Sequence, residues 1–192
     1  MKNLCMLTLM ILLTSCGSNK NVAYTNAVRH ELAEMWKTDQ KVQTWDESRL
    51  EDKNYLDSMT VVQDKVSREN CETIKGYLNK YGFPGLNSND KVTSMQFWTI
   101  VQHSDHDVPF QAKVLKLMRK QLDHNNVNRR NYAYLYDRVH KNLGKPQRYG
   151  TQIEWINNEP TPYKLEHPEK VDERRKSMEL EPMEEYLFSF IN

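Results

Sequence analysis

Apolar residues recur every three or four positions along most of this chain, and this spacing constrains its fold more than any other feature. Val28, Leu32, Met35 and Trp36 form the first such stripe, and polar residues fill the other positions around them. Side chains three or four residues apart share one face of an α-helix, so the pattern predicts amphipathic helices around a common core. Later stripes with the same character are Ile74, Tyr77, Leu78 and Tyr81; Phe110, Val114, Leu115, Met118 and Leu122; and Tyr132, Leu135, Tyr136, Val139 and Leu143.

Two departures from this pattern complete the predicted fold. The segment from Met95 to about Ser104 is apolar on more than one face, which predicts the central helix, with Trp98 among its most buried side chains. Residues 149–155 instead alternate and are rich in β-formers, and Asn157-Asn158 is typical of a turn. We therefore predict a mainly α fold, an irregular single-domain helical bundle with one small β-hairpin near residues 149–165.

The N-terminal residues predict a lipoprotein. Lys2 precedes an apolar run at residues 4–13, and Leu-Thr-Ser-Cys ends at Cys16. The run is shorter than the roughly 20 residues a helix needs to cross a bilayer and is typical of a secretory signal peptide. The last four residues resemble a bacterial lipobox, whose cysteine is acylated, although an ordinary signal peptide with an incidental cysteine is the alternative. We predict a signal peptide at residues 1–15, a lipidated tether at 16–24 and one mostly helical domain at 25–192.

Charge and cysteine content restrict the function classes. The chain has 27 Lys and Arg against 26 Asp and Glu, and Lys2 belongs to the signal peptide. A nucleic-acid surface needs clustered basic residues, so we expect no nucleic-acid partner. If Cys5 leaves with the signal peptide and Cys16 is acylated, Cys71 has no cysteine partner. We expect it to be a buried helix residue rather than a nucleophile, in a domain stabilised by its core.

Two segments carry more polar side chains than packing requires. The first is residues 102–107, at the junction of two predicted helices. The second is Asp137-Arg138 together with residues 147–152. Buried polar groups must be paired, and both segments lie at helix ends, where chains change direction. We therefore predict that the segments meet, with His103 or Asp105 within reach of Arg138, Arg148, Tyr149 or Gln152.

These segments also carry a resemblance. VQHSDHDVPFQ, NYAYLYDRVHKNLGKPQRYGTQ and VDERRKSMELEPMEEYL resemble an uncharacterised bacterial domain family of unknown function, with QHxDxD, DRV and Q-x-YGTQ segments. The resemblance covers about residues 33–187, includes Asp39-Gln40, and implies no activity. It implies motif positions at Gln102, His103, Asp105, Asp107, Asp137, Arg138, Gln147, Tyr149, Gly150, Thr151 and Gln152.

Three interpretations of the polar residues stay open. A metal site would use His103 and His106, but Pro109 and a helix cap at Asp107 indicate that the helix breaks between them. A metal-free acid–base site would use His103 held in one tautomer by Asp105. In a structural network the same groups pair with each other and with the backbone at helix ends.

We expect a lipid-anchored protein of the bacterial cell envelope, a binding or structural module with a His/Asp/Arg/Tyr cluster. The alternative is a metal-independent hydrolase-like enzyme, with Arg148 and Tyr149 holding an anionic substrate. Candidate catalytic residues are His103, Asp105 and Tyr149, and candidate ligand-binding residues are Gln102, Asp107, Arg138, Gln147, Arg148 and Gln152.

We expect no metal or cofactor. The partners are the membrane, through the lipid on Cys16, and a small molecule, peptide or protein of the envelope. Gly17 after the cysteine favours the outer membrane in a Gram-negative cell, by resemblance to such lipoproteins.

Overall fold

A computed structural model describes residues 22–191, so the predicted signal peptide and Cys16 lie outside the described residues. The fold is mainly α, as predicted, with one two-stranded antiparallel hairpin in this part of the chain. The helices are α1 Asn26–Gln43, α2 Lys53–Tyr81, α3 Lys91–Gln102, α4 Val108–Gln121, α5 Arg129–Asn142, α6 Val171–Ser177 and α7 Met183–Phe188. The strands are β1 Ile153–Ile156 and β2 Glu159–Pro162.

Side-chain caps explain where the long helices begin. Asp90 accepts a hydrogen bond from the backbone N–H of Thr93 and starts α3, and Asp107 does the same for Phe110 at the start of α4. Such caps satisfy backbone donors that have no partner inside the helix. Thr25, Asp52 and Asn128 begin α1, α2 and α5 in the same way.

The second helix is longer than the sequence pattern indicates. Apolar periodicity is weaker over residues 44–65, and Ser67 lies in a plausible N-cap region, so the sequence predicts two separate helices here. In the structure α2 continues through Ser67, whose hydroxyl donates to the carbonyl oxygen of His103 at 2.6 Å. No proline or glycine interrupts residues 53–75, so the backbone continues until Gly82, which ends the helix with φ +82°.

Helix α3 is central, because it packs against α1, α2, α4 and α5. Its Phe97, Ile100 and Val101 are buried in the main core, where Cys71 of α2 is also fully buried, as predicted. The prediction for Trp98 is wrong: this side chain is only partly buried, and its indole N–H donates to the carbonyl oxygen of Asn131 at 2.9 Å. Its position at the edge of the core satisfies the polar end of the ring.

The predicted hairpin forms within residues 153–162. Asn157 and Asn158 connect its strands with φ values of +53° and +65°, which Asn tolerates better than most residues. Helices α6 and α7 follow and build a smaller cluster from Val171, Met183 and Tyr186. Within residues 22–191, no helix is both long and apolar enough to span a membrane.

Candidate functional site

Two separate cavities contain five of the nine predicted site residues: His103, Asp105, Arg138, Arg148 and Tyr149. The first, the histidine cavity, has a volume of about 270 Å³. Its lining residues are Gln43, Thr60, Gln63, Asp64, Ser67, His103, Asp105, His106 and Arg138. The second, the arginine cavity, has a volume of about 280 Å³. Its lining residues are Arg119, Leu122, Asp123, Arg129, Tyr132, Tyr136, Arg148, Tyr149, Arg174, Ser177 and Met178.

Helix α5 contributes to both cavities from different faces. Tyr132 and Tyr136 are four residues apart and line the arginine cavity, whereas Arg138 lines the histidine cavity. Residues two positions apart point in nearly opposite directions from a helix with 3.6 residues per turn. The helix therefore separates the two groups of residues that the sequence analysis joined in one cluster.

The predicted meeting of the polar segments occurs between Asp105 and Arg138. Arg138 donates to Oδ2 of Asp105 through Nη2 at 2.6 Å and to Oδ1 through Nε at 2.9 Å. Gln111 and Asn142 also donate to Oδ1, at 3.0 and 2.7 Å. Burial raises the pKa of Asp105, but Arg138 and these amides outweigh it and hold that pKa below its usual range. The carboxylate of Asp105 therefore already accepts hydrogen bonds from three side chains, and it is a poor proton acceptor.

The carboxylate on His103 is Asp39 of α1, not Asp105 as the acid–base interpretation predicted. Nδ1 of His103 lies 2.7 Å from Oδ2 of Asp39, which is 1% exposed. Gln40 donates to the same oxygen at 3.0 Å. Asp39 was not among the predicted site residues. The spacing of apolar residues in α1 could have indicated it, because Asp39 follows Leu32 and Trp36 on the face of the helix that is buried.

Other residues of the first segment have structural partners. The carboxylate of Asp107 caps α4 and lies 2.7 Å from Nζ of Lys75. His103 follows the last residue of α3 and His106 lies in the next turn, so the helix does break between the two imidazoles. Gln102 is an exception, because its Oε1 is buried and no described residue donates a hydrogen bond to it. Among residues 22–191, no three His, Cys, Asp or Glu side chains are placed to hold a metal ion.

Asp137 builds the loop that carries Arg148 and Tyr149. Its fully buried carboxylate accepts hydrogen bonds from the backbone N–H groups of Arg148, Tyr149 and Thr151, at 2.7 to 3.1 Å. Gln147 supports the same loop, since its side-chain amide donates to the carbonyl oxygens of Gln152 and Tyr163. Gln147 is fully buried. The structure therefore places Gln147, Asp137 and the backbone of Gln152 in loop support.

The arginine cavity combines cationic groups with tyrosines. Arg148 and Arg174 form no ion pair with a described carboxylate within 4.0 Å. Arg174 donates to the carbonyl oxygens of residues 148, 166 and 167, whereas the guanidinium of Arg148 lies near the hydroxyl of Tyr136. Two further arginines, Arg119 and Arg129, have exposed carboxylates at 3.7 and 3.8 Å. The described lining of the cavity therefore holds four arginines and one carboxylate, that of Asp123.

The tyrosines of this cavity are hydrogen-bond donors. Burial, followed by the proximity of Tyr132, raises the pKa of Tyr149 to about 12, and burial also raises the pKa of Tyr132. Both hydroxyls thus stay protonated at neutral pH. Tyr149 lies 5.6 Å from Tyr136, ring centre to ring centre, in an edge-to-face contact. A protonated hydroxyl beside guanidinium groups suits an anion, which accepts hydrogen bonds.

The comparison with known families extends over nearly all of the described chain. The family described as "Family of unknown function (DUF6624)" matches residues 26–191. The chain belongs to this family. No curated protein and no solved structure matches it.

In this DUF6624 chain both cavities lie inside the matched residues. The histidine cavity uses residues between Gln43 and Arg138, and the arginine cavity uses residues between Arg119 and Met178. Family membership assigns neither of them an activity. Their chemistry must be inferred from the side chains themselves.

Proposed function

We propose that this protein is a lipid-anchored module of the bacterial cell envelope that binds an anionic ligand in the arginine cavity. The anchor is Cys16, in the lipobox-like sequence at the end of the apolar run. Gly17 favours attachment to the outer membrane of a Gram-negative cell. The tether at residues 16–24 joins the lipid to a domain whose first described contacts involve Val22 and Tyr24.

The binding proposal rests on the surroundings of the Arg148 guanidinium group. This guanidinium lies near the hydroxyl of Tyr136, and no carboxylate among residues 22–191 lies within 4.0 Å of it. An arginine is always charged in proteins and offers five donors in a planar fork. Most of these donors are unused here, and they line the same cavity as Tyr149 and Tyr132. An anion with several oxygens, such as a phosphate group, can accept from both kinds of donor.

The surrounding structure favours a preformed site. Asp137 fixes the backbone at residues 148, 149 and 151, and Arg174 fixes the carbonyl oxygens of residues 148 and 166. A site held in place before binding avoids the entropy cost of ordering a loop around the ligand. The donors of Arg148 and Tyr149 are thus presented by a rigid segment.

Phosphate binding tests this proposal. Titration calorimetry with inorganic phosphate at constant ionic strength should show binding to the wild-type domain. Arg148→Gln should weaken it about tenfold or more, because a hydrogen bond to a charged group contributes about 1.5–3 kcal/mol and 1.4 kcal/mol is a factor of ten. The melting temperature should change little, since the side chain of Arg148 is exposed.

Arg49→Gln is the matched control. Arg49 is also partly exposed, pairs with Asp52 at 3.0 Å and does not line the arginine cavity. Equal losses in the two variants would show general attraction to a basic surface. No phosphate binding by the wild-type domain at millimolar concentration would contradict the proposal.

A further inference from the structure

The histidine cavity contains an imidazole arranged for proton transfer. Asp39 is buried and presents Oδ2 to Nδ1 of His103 at 2.7 Å. A carboxylate accepts hydrogen bonds, so Nδ1 carries the proton and donates, which leaves the lone pair on Nε2. The side chain of His103 is 20% exposed and lines the cavity. No described residue forms a hydrogen bond with Nε2.

A structural role alone explains only part of this arrangement. The backbone of His103 ends α3, and its carbonyl oxygen accepts from Ser67 at 2.6 Å. Its Nδ1–H ties α3 to α1 through Asp39. Neither contact uses Nε2, and an asparagine side chain places its amide donor close to the position of Nδ1. The fold therefore does not require the basic Nε2 of His103.

The walls of the cavity indicate an uncharged substrate. The two carboxylates that line it are each paired: Asp64 with Arg68 at 2.8 Å and Asp105 with Arg138 at 2.6 Å. The other lining groups are uncharged amides and hydroxyls, at Gln43, Thr60, Gln63 and Ser67, and the imidazole of His106. Arg138 binds Asp105 through Nε and Nη2. Its Nη1 forms no hydrogen bond with a described residue and can donate to a substrate oxygen.

We propose that His103 is a general base that activates water for hydrolysis of an uncharged ester or amide in the histidine cavity. Nε2 takes a proton from water while the water oxygen bonds to the acyl carbon, and the carbonyl π pair moves onto its oxygen. Nη1 of Arg138 donates to that oxygen. When the pair returns, the bond from carbon to the leaving oxygen or nitrogen breaks, and the leaving atom takes the proton from Nε2. Asp39 is a positioning residue that holds the tautomer and stabilises the imidazolium.

This activity goes beyond the proposed anion binding and uses a different cavity. No residue lines both cavities, so Arg148→Gln should leave the hydrolytic activity unchanged, and His103 variants should leave phosphate binding unchanged. Failure of one proposal therefore does not decide the other.

Hydrolysis of 4-nitrophenyl acetate, an uncharged ester, is the test. His103→Asn should lower kcat/KM about 100-fold or more, because a positioned general base contributes 10² to 10⁴ in rate. The variant keeps a donor for Asp39, so its melting temperature should stay close to that of the wild type. His106→Gln is the control, since His106 lines the same cavity and lies 3.4 Å from the hydroxyl of Ser67.

The pH profile and the tautomer test the role of Asp39. The ionisable groups around His103 are Asp39 of α1, Asp64 of α2, Asp105 and His106 of the following turn, and Arg138 of α5. In the wild type the rate should rise with the deprotonation of one group, and His103→Asn should abolish that rise. Asp39→Asn should lower kcat with little change in KM, because the amide holds the Nδ1–H tautomer of His103 less firmly than the carboxylate does. Long-range ¹H–¹⁵N spectra of the wild type should show the Nδ1–H tautomer.

Three results would overturn the proposal. One is a wild-type rate no higher than that of the same concentration of free imidazole. Another is an equal loss of rate in His103→Asn and His106→Gln. The third is an Nε2–H tautomer of His103 at neutral pH, which would leave no lone pair facing the cavity.

Discussion

Asp105 lines the histidine cavity, whereas Asp39 is buried and contacts His103 of that cavity, and the two carboxylates have different partners. Asp105 is held by a guanidinium and two amides, whereas Asp39 contacts an imidazole and one amide. Sequence spacing identified His103 and Asp105 as neighbours along the chain. It did not identify Asp39, because that contact joins residues 64 positions apart. At the scale of the residue, the types of side chain in the site were predictable and their pairing was not.

The low pKa of Asp105 predicts a pH dependence of stability. A carboxyl with a lower pKa in the folded state stabilises the fold above its unfolded pKa of about 3.9. That contribution is lost as the pH falls through the folded value. Asp105→Asn should therefore destabilise the protein at pH 7, and the difference from the wild type should shrink below about pH 4. Urea denaturation at a series of pH values measures this difference.

Asp57→Asn serves as the comparison for that series. Asp57 is exposed on α2, and no hydrogen bond of its side chain occurs among the described residues. Its replacement should leave the curve of stability against pH close to that of the wild type. Parallel curves for Asp105→Asn and the wild type down to pH 3 would contradict the role given to the Arg138 contact.

At the scale of the element, the periodicity of apolar residues predicted which segments form helices, but it predicted less well which faces of those helices contact the core. The stripes around Leu32, Val114 and Leu135 coincide with helices, and most of the stripe residues are buried, although Leu143 is exposed. Helix α3 was correctly expected to be central, but its apolar residues cover several faces. Such a pattern shows that a helix is buried and not which of its faces meets the core, which is why Trp98 was misplaced.

Substitutions in α3 test this distinction. Phe97 is fully buried and contacts the rings of Tyr24 and Phe83 edge to face. Phe97→Ala should cost about 3–5 kcal/mol, the range for aromatic residues removed from a core. Trp98→Ala should cost less, although tryptophan is larger, because the ring is only partly buried. Guanidinium denaturation of both variants gives the two free energies of unfolding, and a larger loss for Trp98→Ala would contradict the observed packing.

At the scale of the whole molecule, the single mostly helical body agrees with the sequence analysis, and the single polar cluster does not. Segments 102–107 and 137–152 do meet, at Asp105 and Arg138. However, Arg148 and Tyr149 face another cavity, because α5 carries its tyrosines and Arg138 on different faces. Spacing along the chain cannot show on which side of a helix the following loop returns.

The proposed lipid anchor concerns the whole molecule. Cys16→Ser should abolish acylation and release the domain from the membrane fraction, because the thiol that would carry the lipid is lost. Fractionation and intact mass measure the two effects. Cys5→Ser, within the predicted signal peptide, should leave both unchanged. A membrane-bound Cys16→Ser protein with the acyl mass still present would exclude Cys16 as the site.

The buried thiol of Cys71 has a consequence for how the protein matures. Its side chain is fully enclosed in the core, and burial raises the pKa of the thiol. A protonated, inaccessible sulfur reacts slowly with oxidants and other thiols. Cys71 is also the only cysteine among residues 22–191, so no disulfide can form within the described domain. A copy made in the reducing interior of a cell and one exported to an oxidising compartment should reach the same native state, without help from a disulfide-forming enzyme.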